Sequence, residues 1–426
     1  MELRKICIAL LALLLAAMAM VPYVSAMSDD RLSAEKIADI NKNAISEDTA
    51  RIHAEYGLAE FISLDALGDR STWSGSVINP KPLEIFDING EKLCYLFNIE
   101  RDEKKVGEIR IAASKVIGAS VLYIGPQTNT IEQDKLEQNL QSELKKEHVR
   151  ATSKSMLVSY AFPKIGLMSQ ITDESSKTVK TIIVDAYDYS VVTRDNLNEE
   201  QDQQIYSVYN RLDYTTYSES VKKWDNYDST IHSILNENPN ITVTAGKTLS
   251  GNQILTLSNY IQNTRAVSEY ETVSGVPLYS QPNSVWCAVA TARMISAKYG
   301  VYRSINDIAL KMGAYSGGQP QMTDPDDELI YYRASVASGG LGKPSSDNYN
   351  TISWDIVKNE IHNGRPFKVG DDGHARAATG YLRSPSYPYY TYIYFKDPAP
   401  VNQGSEYWQW FNELNPFFYD GYIKVQ

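Results

Sequence analysis

Cysteine and histidine are scarce in this chain: three cysteines, at 7, 94 and 287, and five histidines, at 53, 148, 232, 362 and 374, among 426 residues. No Cys-x-x-Cys pair and no Cys/His ligand spacing occurs, which argues against zinc. An Asp-x-Asp-x-Asp-Gly frame is missing too, so the acidic run Asp324-Pro-Asp-Asp-Glu328 reads as a solvated loop rather than a calcium loop. No metal or organic cofactor is implied. Positive charge is short as well: a net charge of −11 without a basic stripe argues against a nucleic-acid or anionic-membrane surface. Beyond the first 26 residues no run is apolar enough to cross a bilayer. Phenylalanine is rare, nine against thirty tyrosines, which favours half-wet sheets and contact surfaces over oily ones. What remains, 43% apolar and 22% charged residues at a mean hydropathy of −0.35, describes an ordinary globular protein of two or three domains.

Met1 to Ala26 reads as a signal peptide: Arg4 and Lys5, an apolar stretch from Ile6 to Ala19, then the small-residue cleavage signature Val24-Ser25-Ala26. The expectation is an exported, extracytoplasmic chain, an uncleaved N-terminal anchor being the alternative. Cys7 leaves with this segment. Of the two remaining thiols, Cys94 falls in an expected strand, Lys92 to Ile99, and reads as a small buried hydrophobe.

Residues 27–193 are expected to form an α+β domain. A polar helix over Ser28 to His53 opens it, and strands begin after Ser71. Leu83 to Ile88 and Lys92 to Ile99 flank Asn89-Gly90, a pair suited to the positive φ angles of a tight hairpin. Further strands are expected at Val106–Ala112, Ala119–Ile124, Ser155–Phe162, Ile165–Ile171 and Thr178–Asp185. Ile131, Leu136, Leu140 and Leu144 mark a helix over Asn129 to His148. Residues 194–270, rich in Gln and Asn, read as a helical connector with helices over Glu199–Arg211, Ser218–Tyr227 and Ser229–Leu235.

The chemistry gathers in residues 271–426. Cys287 opens a segment with small or apolar residues at 287, 290, 291, 294 and 295, one face of a helix. A thiol at a helix N-terminus is biased toward thiolate, the nucleophilic form. Gln281, six residues upstream, can aim an amide N–H at an oxygen gaining charge, beside the Cys287 N–H. Downstream, Ser353 caps a helix that Gly364 ends; a strand Arg365–Val369, a turn Gly370-Asp-Asp-Gly373 and His374 at the head of the next strand follow. The aromatic strand Tyr389 to Phe395 runs into Lys396-Asp397-Pro398. If these strands pair antiparallel, His374 and Asp397 meet at one edge, His374 as base to Cys287 and Asp397 as its orienter. His362 is the rival base, but its place in the last turn of a helix is explained by the dipole. Asp371 and Asp372 read as turn residues, Trp286 as packing, and Ser304 to Gly313 as a capped helix.

Gln-x₅-Cys before a helix, a strand leading to Gly-His, Thr-Gly-Tyr after it and Asp-Pro one strand later resemble the C39-like branch of papain-fold cysteine peptidases, over roughly Thr272 to Gln426. The resemblance implies a papain-like α+β fold of helix plus antiparallel sheet, with Cys287, His374 and Asp397 as the triad and Gln281 as oxyanion donor. Arg376, where the family has apolar residues, and Tyr381-Leu-Arg383 depart from its pattern and bear on substrate preference. A protein or peptide substrate is implied; an amidase or acyltransferase with the same triad, or a non-catalytic binding or inhibitory protein on this fold, are the alternatives. By its position the 27–193 domain is similar to pro-domains of secreted cysteine peptidases, so a zymogen whose N-terminal domain contacts the cleft is expected, a binding module being the other option.

Overall fold

The computed structural model describes residues 32–146, 154–172, 179–195, 205–238, 241, 246–264, 269–371, 373–412 and 421–426. The expected signal peptide, His148, Asp372 and the first six residues of the predicted Glu199–Arg211 helix lie outside these residues; of the rest of that helix a single turn forms, Val208–Arg211, capped by Ser207. Among the described residues no helix is long and apolar enough to cross a membrane.

The fold is mixed α+β, built on one large, mostly antiparallel sheet. From one edge its strands run Asp347–Tyr349, Gly421–Lys424, Phe367–Asp371, His374–Arg383, Thr391–Asp397 and Ser405–Phe411. The sheet does not stop there. Trp408 and Gln409 pair with Ile124 and Tyr123, so Val121–Gly125 continues it into Lys104–Ala112, Lys92–Arg101, Leu83–Asp87, Met156–Ala161, Lys164–Thr172, Val179–Asp185 and Val191–Asp195. Leu83–Asp87 and Met156–Ala161 pair in parallel; the other named pairs are antiparallel. The sheet rolls far enough that the loop after Val179–Asp185 returns to the loop after Asp397: Val401 N–H donates to Asp188 Oδ2 at 3.1 Å and Gln403 Nε2 to the Tyr187 carbonyl at 3.4 Å.

Helices cover the roll. The polar helix expected over Ser28–His53 is two helices, Ala34–Lys42 and Glu47–Ser63, because Ser46 caps a fresh start with its Oγ accepting from Thr49 N–H at 3.1 Å. Past its exposed first turn the second is buried on nearly every side, with Arg51, Glu55 and Glu60 among the buried residues. Its Phe61 meets Tyr392 edge-on, its Glu60 carboxylate accepts from Ser384 Oγ at 2.8 Å, and just beyond it the Ala66 carbonyl accepts from Trp408 Nε1 at 2.7 Å. Desolvation pushes the Glu60 carboxyl above its ordinary value despite these hydrogen bonds. The two helices expected across Asp228-Ser229 are one, Tyr217–Glu237; Ser229 turns its hydroxyl back to the Asp225 carbonyl at 2.8 Å rather than breaking the run. Leu136, Leu140 and Leu144 form the buried stripe of Gln133–Lys146.

Candidate active site

Cys287 is the first residue of a helix, Cys287–Lys298, whose buried face is small: Ala288, Ala290 and Ala292 allow close approach to the neighbouring strand. Thr291 Oγ1 donates to the Ala375 carbonyl at 3.0 Å and so ties this helix to the strand His374–Arg383. That strand starts from a hairpin whose turn passes through Gly373 at φ 74°, left-handed backbone that a Cβ would strain. Cys287 Sγ lies 3.8 Å from the Gly373 carbonyl oxygen. Trp286, in the cap position, packs edge-on against Tyr315 and donates its Nε1 hydrogen to the Ala314 carbonyl at 3.2 Å.

His374 Nε2 is 2.8 Å from Asp397 Oδ1, which leaves Nδ1 for Cys287. Burial, and to a lesser degree Lys164, work against charging the imidazole, yet the charge and hydrogen bond of Asp397 together with the hydrogen bond to Cys287 outweigh them and hold His374 above its ordinary value. The same contest runs at Cys287. Burial alone raises a thiol, but the hydrogen bond and charge of His374, joined by Lys164 and the Ala375 backbone, bring it below its ordinary value. Asp397 is itself buried, and the opposing pull of His374, Arg376 and Tyr407 brings it down to about 2. Cys94, by contrast, is pushed up to about 12 by burial.

Asp397 is held on both oxygens. Oδ1 also accepts from Ala399 N–H at 2.8 Å, and Oδ2 accepts from Tyr407 O–H at 2.6 Å. Behind Tyr407 stands fully buried Arg376, donating to the Tyr407 hydroxyl at 3.0 Å and Gln409 Oε1 at 2.6 Å and paired with Asp371. Burial raises the Asp371 carboxyl against the pull of Arg376. Asp371 is thus more than a turn residue. Tyr407 escaped the sequence reading because its role depends on strand register, opposite Phe395, which no local motif encodes.

Gln281 is buried beside this group, its backbone N–H donating to the Pro398 carbonyl at 2.9 Å. One hydrogen of its amide goes to the Asn283 carbonyl at 2.9 Å; the other is left to donate. His362 is set apart, exposed and paired with Glu271 at 3.1 Å. The acidic run expected as a loop is the first turn of the helix Pro325–Arg333, where Asp326, Asp327 and Glu328 oppose the positive end of the dipole. Glu328 is buried and accepts from Lys368 Nζ at 2.9 Å. Among the described residues no His/Cys/Asp/Glu group is arranged to hold a metal ion.

Two recesses flank the centre. The wider, about 1290 Å³, is bordered by Cys287, His374, Gly373, Asp371, Asp327 and Lys368. The narrower, about 720 Å³, is bordered by Gln281, Ser284 and Asp397 on one side and by Lys164, Tyr187 and Asp188 of the N-terminal region on the other. A thiol near an imidazole, an oriented imidazole and two openings for substrate are the parts of an acyl-transfer centre.

Residues 273–420 match the Peptidase_C39 like family. The C-terminal region is therefore C39-like, and the family points to a peptidase of the cysteine type. The match leaves residues 1–272 outside it. No curated protein and no solved structure matches the chain. Within the C39-like region fall Cys287, His374, Asp397 and Gln281, and also Tyr407 and Arg376; Lys164 comes from outside it.

Proposed function

We propose that the protein is an exported cysteine peptidase whose Cys287 thiolate attacks a peptide carbonyl. The carrying observation is the relay Cys287–His374–Asp397, with a thiol below and an imidazole above their ordinary values, the pairing that favours a thiolate–imidazolium couple. The oxyanion forms beside the helix N-terminus, where the Cys287 N–H and the second Gln281 amide hydrogen donate to it. His374 passes its proton to the leaving amine from Nδ1, the acyl group stays on Cys287, and His374 then takes a proton from the water that releases it. Asp397, fixed by Ala399 and Tyr407, keeps Nε2–H engaged so that Nδ1 does this work.

The test is selective alkylation. A mild haloacetamide at about pH 6 modifies Cys287 and spares Cys94, since only the lowered thiol carries thiolate there. Gln281→Ala keeps that labelling and loses about 10²- to 10³-fold in turnover. Equal labelling of both thiols, or turnover unaffected by Cys287→Ala, overturns the assignment. Latency imposed by residues 27–268 is a second reading, favoured by the N-terminal residues that border the narrower recess. It predicts a full chain that is silent until cut, and the same labelling on the uncut chain tells the two apart.

A further inference from the structure

The N-terminal region contributes a charge to the centre. Met156–Ala161 and Lys164–Thr172 form a hairpin with Phe162 and Pro163 at its tip. This tip is fixed by buried groups. The Pro163 carbonyl accepts from Arg110, the Phe162 carbonyl accepts from Tyr206 O–H at 3.1 Å, and Arg110 is locked by Glu108 and stacked 4.2 Å over Tyr123. Lys164, the next residue, is half-buried and borders the narrower recess together with Gln281, Ser284 and Asp397. Its charge acts on Cys287, His374 and Asp371.

The other charges in that recess are engaged. Arg110 is paired with Glu108. Asp185 accepts from Tyr160 O–H at 2.8 Å and from the Tyr187 and Asp188 N–H groups. Asp188 accepts from Ser190 and Val401 N–H, and Asp397 from His374, Ala399 and Tyr407. Lys164 Nζ is the exception: among the described residues no carboxylate lies within ion-pair distance of it. A half-buried ammonium that makes no ion pair of its own and borders an open recess is a site for an anion, and the anion a peptide carries is a carboxylate.

We propose that Lys164 makes the narrower recess a carboxylate-binding subsite, so that the protein selects peptides placing a carboxylate next to the bond attacked, either the chain terminus or an acidic side chain. This rests on the reading of Cys287 as the nucleophile and names the substrate class that reading leaves open. The subsite is assembled from both halves of the chain: the C-terminal region holds the reacting atoms, and the N-terminal hairpin holds the charge that chooses.

The experiment uses the full chain and two alkylators of similar size, iodoacetate and iodoacetamide, with rates at Cys287 read by mass spectrometry for the parent, Lys164→Met and Lys164→Arg. The iodoacetate-to-iodoacetamide ratio is expected to fall about tenfold in Lys164→Met, as loss of one close unscreened charge implies, and to persist in Lys164→Arg. A second arm compares turnover of one peptide with a free C-terminus, with an amidated C-terminus, and with that amidated end plus an internal glutamate; whichever carboxylate restores cleavage identifies the source. An unchanged ratio in Lys164→Met overturns the subsite. Faster turnover of all three peptides in Lys164→Met overturns it too, making the hairpin a plug. A Cys287 inert to both reagents brings down the nucleophile reading, whereas a reactive Cys287 blind to charge brings down the subsite alone.

Discussion

Among the described residues two histidines are buried, each with Nε2 bonded at 2.8 Å to a carboxylate: His374 with Asp397, and His53 with Asp228. The second even has a hydroxyl on its other nitrogen, Ser120 Oγ at 2.7 Å from Nδ1, so that on distances alone it resembles a serine relay. Their surroundings separate them. Ser120 and His53 are fully buried, and the ring is stacked on Trp224 at 4.4 Å. Burial dominates there and lowers His53, because the Asp228 side chain is 30% exposed and its pull is too weak, while His232 and Lys115 push the same way as burial. Asp397 is buried with three donors on its carboxylate, so its pull on His374 wins. On the proposed reading of Cys287 as nucleophile, a histidine–carboxylate bond serves catalysis only when the acid is buried deeply enough to charge the ring and the third partner borders an opening. Otherwise it is a strut between helix Glu47–Ser63 and helix Tyr217–Glu237.

Exchanging the damage between the pairs gives the largest expected effect. His374→Ala abolishes turnover and raises the Cys287 thiol while the chain stays folded. His53→Ala removes a stacked, doubly bonded core side chain and lowers stability by on the order of 3 kcal/mol, with turnover per folded molecule kept. Denaturant unfolding alongside activity reads both; a dead His53→Ala that unfolds normally would erase the distinction. Next in size is the acid. Asp397→Asn loses about 10³- to 10⁴-fold in turnover through the wrong imidazole tautomer, and Asp228→Asn leaves turnover within about twofold. Equal losses would mean the two carboxylates act alike.

The smallest effect is a difference in pH dependence, opposite in sign for the two rings. His374 lies above its ordinary 6.5, so the stability it contributes is fully present below about pH 6.5 and is lost as pH rises through its folded value. His53 lies below 6.5, so its contribution is present above about pH 6.5 and is lost as pH falls through its folded value. Relative to the parent, His53→Gln is expected to lose less stability between about pH 7.5 and pH 5. His374→Gln is expected to lose more over that interval. Unfolding curves at the two pH values measure this, and the same direction of change in both variants contradicts the assignment.

What the sequence announced about the site were residues at the ends of elements: Cys287 opening a helix, His374 after a glycine turn, Asp397 before a proline. Each is a local event, readable within a few positions. Helix Glu47–Ser63 was hard to delimit because a helix buried nearly all round has no polar face to supply a period. Tyr407, Arg376 and Lys164 act through register and through a sheet that crosses from one half of the chain to the other, and spacing along the chain carries no trace of that. The acidic run at 324–328 misled for a simpler reason: carboxylates gathered at a helix start look, as letters, like a solvated loop.

The shared sheet also sets a timetable. The Ala66 carbonyl waits for a tryptophan 342 positions later, and at ordinary rates of synthesis that interval is roughly twenty seconds to a minute. From the synthesis of Val121–Gly125 until Ser405–Phe411 is made, the partner for one side of that strand is missing, which leaves the side open to a neighbouring nascent chain. Folding therefore finishes only after the last strands emerge, by slow non-local pairing, and a chain that loses Ser405–Phe411 is expected to clump rather than to fold as a smaller protein.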